Sequence, residues 1–128
     1  MNTDKLIYRI STGIVCTVMA YSVISFNLKV PIAPPEGSFA HLGLPDYLRV
    51  ELSLAKTLGI LALLVPSVPF KLKELAYFGF GITLLSASIA HFSSGDGLPF
   101  VIDPLIFLGI LGISYFYLGR LRRNELSA

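Results

Sequence analysis

The chain has little of several things, and each shortage narrows what it can be. Tryptophan is absent from the 128 residues, so any interfacial aromatic belt must be built from tyrosine and phenylalanine. There is one cysteine, Cys16, which excludes an intrachain disulfide and a paired-cysteine redox motif. It reads as a small packing residue inside an apolar run. Charged residues make up 14% of the chain, against about 25% in a typical soluble domain. The net charge is only +2, which gives no basis for nucleic-acid binding. No nucleotide-binding loop, metal-ligand motif, nucleophile–base pair, internal repeat or low-complexity tract is visible.

What is present is hydrocarbon. Hydrophobic residues are 54% of the chain and the mean hydropathy is +0.73. The length fits one domain spanning 1–128. Four apolar segments predict an all-α integral membrane four-helix bundle, with helices over about 7–28, 47–66, 74–93 and 99–119. ISTGIVCTVMAYSVISFNL at 10–28 holds no charge and is long enough to span. It is longer than a signal-peptide core, and Phe26-Asn27-Leu28-Lys29 is a poor cleavage site. YLRVELSLAKTLGILALLVP at 47–66 reaches span length only if its charged half is counted. The connector 30–46 holds four of the eight prolines and predicts a structured or re-entrant loop. PSVPFKLKE at 66–74 reads as a tight basic turn.

Lysine and arginine are unevenly placed. With both termini cytoplasmic, Lys5, Arg9, Lys71, Lys73, Arg120, Arg122 and Arg123 fall on the inner side of a cell (inner) membrane. Lys29 and Arg49 fall outside. The basic RLRR stretch at 120–123 is then placed to meet an anionic leaflet.

Three charges in the second segment need separate explanations. Arg49 lies near the outer boundary and can reach head groups. Glu51 is shallow. Lys56 lies about 13 Å along the axis from Tyr47, near mid-membrane. A lysine at a helix centre costs about 2.5–3.5 kcal/mol on insertion scales, so it should face the bundle interior and find a partner. Arg49, Leu52, Lys56, Gly59 and Leu63 form one helical stripe. Glu51 and Lys56 are about 140° apart around the helix. Lys56 is expected to pair with a group on another helix or to snorkel toward a wet cavity, the preferred partners being a polar group on the third or fourth helix, or Glu51 through a distortion or water.

In the third segment, Tyr77, Gly81, Leu84, Ser88 and His91 form one stripe, and Gly79, Thr83, Ser86 and Ala90 another. These small residues, with Gly109, Gly112 and Gly119, read as helix-packing positions. Glu74 reads as a first-turn carboxylate at a helix N-terminus. His41, Glu51, His91 and Asp103 gather toward the outer half and suggest a polar vestibule and proton relay. Their spacing matches no local metal motif, so no metal is expected.

Five phrases, in order, carry a resemblance: YRISTGIV at 8–15, FAHLGLPDYL at 39–48, AKTLGILALLVP at 55–66, LKELAYFGFGI at 72–82 and SASIAHFSSGD at 86–96. Together they resemble the DoxX-like family of small four-helix membrane proteins, over nearly the whole chain. The resemblance implies that His41, Lys56, Glu74, Tyr77 and His91 occupy recurrent polar positions. It links the chain to membrane oxidoreductase systems, including a thiosulfate:quinone oxidoreductase subunit, and to proteins of thiol handling and receptor assembly. With one cysteine, thiol–disulfide chemistry is not carried over.

Two functions remain. One is a quinone- or lipophile-binding subunit built on a polar pocket around Lys56, with Glu51 or His91 relaying protons and a quinone as the implied cofactor. The other is a non-enzymatic scaffold or assembly subunit. Expected partners are the bilayer and other redox subunits or a second copy. Whether the chain is itself an enzyme stays open, and a transporter is disfavoured because no inverted repeat is visible.

Overall fold

A computed structural model describes residues 3–27 and 43–127. They form four helices: α1 (Thr3–Asn27), α2 (Asp46–Leu64), α3 (Phe70–Ser93) and α4 (Leu98–Ser127). Helix α1 packs on α2 and α4, and α3 packs on the same two, which closes a four-helix ring. The first 13 residues of the proline-rich 30–46 connector, His41 among them, lie outside the described residues.

Local chemistry sets the boundaries. Pro45 and Pro69, both extended, precede α2 and α3. Val65 is extended because Pro66 follows it, and α2 stops there. At the other end of α3, Gly95 takes a positive φ of 77°. Its N–H reaches the Phe92 carbonyl, and the Asp96 N–H reaches His91, which makes a Schellman closure. α3 starts at Phe70 rather than at 74. Lys71 and Lys73 therefore belong to a helix, not to a turn. α4 runs on to Ser127, so the RLRR stretch is helical.

Pro104 sits inside α4, where it has no N–H for the carbonyl four residues back. Ser88 of α3 donates to the neighbouring Val101 carbonyl at 2.7 Å. A side chain thus supplies a donor beside the break, as the membrane interior requires.

The distribution of polarity identifies the solvent. Ile82 is 66% exposed and Phe92 73%, and Leu54, Leu58 and Leu75 are similarly outward. The buried set instead includes Ser11, Thr12, Lys56, Lys73, Ser88 and Ser114 beside Val15, Cys16, Met19 and Leu111. Apolar surface on this scale excludes water as the surrounding medium. Among the described residues no buried side-chain nitrogen or oxygen lacks a hydrogen bond. The protein is an all-α membrane bundle, and Thr3–Ser25, Phe70–Ser93 and Leu98–Asn124 are long and apolar enough to cross. The charged helix α2 is not among those three, in keeping with its split sequence.

An ion pair between Arg120 and Asp4 at 3.1 Å places the start of α1 beside the late part of α4. Lys73 likewise ties the start of α3 to the end of α2. The seven cations Lys5, Arg9, Lys71, Lys73, Arg120, Arg122 and Arg123 all belong to these segments at one end of the bundle.

Candidate functional site

The expected stripe on α2 is the buried one. Lys56, Gly59 and Leu63 are its buried residues, and Lys56 is only 5% exposed. Its Nζ donates to Ser22 Oγ on α1 at 2.5 Å. The expectation of a partner on another helix is met by α1, a helix not among the preferred ones, while Gly59 of the same stripe meets Phe80 of α3. Glu51 is exposed, and α2 does not bring it to the face that buries Lys56.

Lys56 also lines a groove of about 370 Å³ between α2 and α3. Ala55 and Gly59 on one helix, and Ala76 and Gly79 on the other, supply little side-chain volume, and this leaves the space. Outward-facing Leu58, Leu72 and Leu75 border it. The groove is therefore largely apolar, with Lys56 and Thr83 as the polar residues on its wall. The Lys56 amine can donate a hydrogen bond to a carbonyl oxygen where no water competes.

Gly59 lies directly against the Phe80 ring of α3. A Cβ there would lie 2.6 Å from Phe80 Cζ and 2.7 Å from Cε1. By contrast, a Cβ at Gly79, Gly109, Gly112 or Gly119 would meet nothing within 4 Å. Those positions are not helix contacts within this chain, which corrects the packing expectation for them.

Below Lys56, toward the basic end, buried hydroxyls join the helices. Ser114 of α4 is fully buried and lies 2.6 Å from both Thr12 Oγ1 on α1 and Tyr77 OH on α3. One serine thus joins three helices. Tyr115, next along α4, donates its OH to Glu74 Oε2 at 2.9 Å. Glu74 is therefore a cross-helix acceptor in the second turn of α3, not a first-turn carboxylate, because the helix begins four residues earlier.

A family model described as the DoxX-like family matches residues 10–114. The chain belongs to the DoxX-like family. No curated protein and no solved structure matches it. The matched region of this DoxX-like protein includes Lys56, Glu74, Tyr77, His91 and Ser114 and leaves out the flanking cations Lys5, Arg9, Arg120 and Arg122.

The structure brings the sequence candidates into separate places. Tyr77 and Glu74 serve the α3–α4 contact. His91 lies at the far end, where its Nδ1 is 2.6 Å from Asp96 Oδ2. The Schellman turn folds Asp96 back over His91, a pairing five residues apart that helical spacing does not suggest. Arg49 bonds to Asp46 at 2.9 Å and to Asn27 of α1. Asp103 is exposed.

Sequence reasoning missed Lys73. Its Nζ donates to the carbonyls of Ala62, Leu63 and Val65 at 2.8, 3.3 and 3.1 Å. Those are C-terminal carbonyls of α2 and its cap, which have no partner in their own helix. A signal was available: a lysine just after a Pro-bounded connector can reach back to the end of the preceding helix.

Proposed function

We propose that this DoxX-like protein is a multi-pass protein of the cell (inner) membrane that binds a quinone or another lipophilic carbonyl compound in redox-linked membrane chemistry. The single supporting observation is Lys56, an almost fully buried lysine that lines a largely apolar groove bordered by lipid-facing leucines. An ionisable group at this depth defaults to a functional assignment. The ligand enters from the lipid between α2 and α3, and its oxygen accepts a hydrogen bond from Lys56. A donor of this kind stabilises negative charge as the carbonyl is reduced. Electrons come from a partner subunit or a second protein. The bias of lysine and arginine to one end supports both termini being cytoplasmic.

The test is binding of a ubiquinone analogue to purified protein and to Lys56→Met. Binding by the parent and loss in a folded Lys56→Met supports the site. A parent preparation that carries no lipophile and takes up no added quinone refutes it.

A second reading has its own observation. Lys56 joins α2 to α1, and Lys73 joins α3 to the end of α2. Both buried lysines thus fix helix register, as a scaffold or assembly subunit would need. In that case Lys56→Met loosens the fold or a partner complex, and quinone affects neither.

A further inference from the structure

The basic end holds a second cavity, independent of Lys56. It measures about 600 Å³ and is enclosed by α1, the α2–α3 connection, the start of α3 and the late part of α4. Four cations line it: Lys5 and Arg9 from α1, Lys73 from α3 and Arg122 from α4. Among the described residues no carboxylate does. The one acidic group at the start of α1, Asp4, is engaged with Arg120. Three helices thus deliver positive charge to one concavity, and like charges held together call for an anion.

The four cations have distinct duties. Lys73 donates to three backbone carbonyls, so it contributes charge and leaves direct contacts to others. Lys5 and Arg9 are four residues apart on one face of α1 and are exposed. Arg122 is held with its guanidinium 4.1 Å from the centre of the Phe70 ring, which presets its direction. Arginine forks match phosphate oxygens. Tyr8 and Thr12 line the same space and bring hydroxyls.

Size and wall chemistry choose among anions. The cavity falls in the range of sites for whole small molecules, about 300–1,000 Å³, and exceeds what a bare anion fills. Leu64 and Leu118 give it apolar walls, and Leu64 is more than half exposed toward the surrounding hydrocarbon.

We infer that this cavity is a binding site for the phosphate head group of an anionic lipid, with Arg9 and Arg122 as its direct phosphate contacts. Phosphate is the recognised chemistry, and the acyl chains leave along the apolar wall. The site sits where the anionic leaflet lies if the basic end is cytoplasmic.

Native mass spectrometry of the detergent-purified full chain tests this, with phosphatidylglycerol, phosphatidylcholine or inorganic phosphate added. One phosphatidylglycerol per chain is expected to be retained in preference to phosphatidylcholine. Arg9→Gln should weaken that retention about tenfold, the loss of one charge-assisted bond. Lys71→Gln removes an equal charge at the same end but outside the cavity and should leave retention unchanged. Arg122→Gln gives the same reading as Arg9→Gln from a different helix and serves if the first variant does not fold. Equal retention of the two lipids overturns the site. Equal effects of Arg9→Gln and Lys71→Gln reduce it to diffuse surface charge and overturn it too. Displacement of the lipid by inorganic phosphate at comparable concentration assigns the cavity to a free anion and overturns the lipid source.

Discussion

Replacing Gly59 with alanine puts one methyl group against the ring of Phe80. The added Cβ would stand 2.6 Å from Phe80 Cζ and 2.7 Å from Cε1. Carbon atoms rest at about 3.5–4.0 Å, so the ring or the helix must retreat by about 1 Å. Phe80 is only 3% exposed and packed in the core, so its ring can yield only toward the groove that it lines. Overpacking of this kind costs about 1–3 kcal/mol. The change from glycine also returns up to about 1 kcal/mol of helix propensity, which offsets part of the loss. The clean comparison is Gly79→Ala on the facing helix, where a Cβ meets nothing within 4 Å. Propensity is common to both variants, so their difference isolates the clash and should be about 1–3 kcal/mol. Thermal unfolding in mild detergent measures it. Phe80→Leu removes the ring tip and should restore much of the loss in a Gly59→Ala background, a coupling that a double-mutant cycle reads directly. If Gly59→Ala and Gly79→Ala are equally stable, or if Phe80→Leu gives no rescue, the close approach of α2 and α3 at this point is wrong.

Two further substitutions test the buried polar ties. Lys73→Met strips the donor from three carbonyls at the end of α2 and should destabilise by about 2–4 kcal/mol, seen as a lower unfolding midpoint in a denaturing-detergent titration. Ser114→Ala leaves Thr12 and Tyr77 without their shared hydroxyl and should cost about 1–3 kcal/mol in the same assay. If either variant matches the parent, the corresponding tie contributes nothing to the fold.

Much of α2 and α3 is legible in the residue pattern alone. The stripe through Lys56, Gly59 and Leu63 is the buried face of α2, and Tyr77, Leu84 and Ser88 of the expected α3 stripe are buried, whereas Gly81 and His91 are only partly so and Phe80 and Lys73 join the buried face from outside it. Both stripes follow from helical period and the cost of polar groups in lipid. The glycines are not equally legible. Gly59 is packed against Phe80, whereas Gly79, Gly109 and Gly112 face open space. A small residue permits close approach, yet whether a neighbour arrives depends on a partner helix elsewhere in the chain.

The same division runs through the whole protein. Apolar runs, the scarcity of charge and the one-ended basic bias dictate a membrane bundle, because a backbone in hydrocarbon must satisfy its hydrogen bonds internally and a helix does so within one segment. The family match covers residues 10–114. Pairing across helices required the fold: Lys56 with Ser22, Lys73 with the end of α2, Ser114 between Thr12 and Tyr77, and four cations around one cavity. Those partners are separated by as many as 102 positions in the chain, and helical spacing governs neighbours only within one helix. Helix rotation and ring order settle the rest, through how side-chain volumes meet in three dimensions.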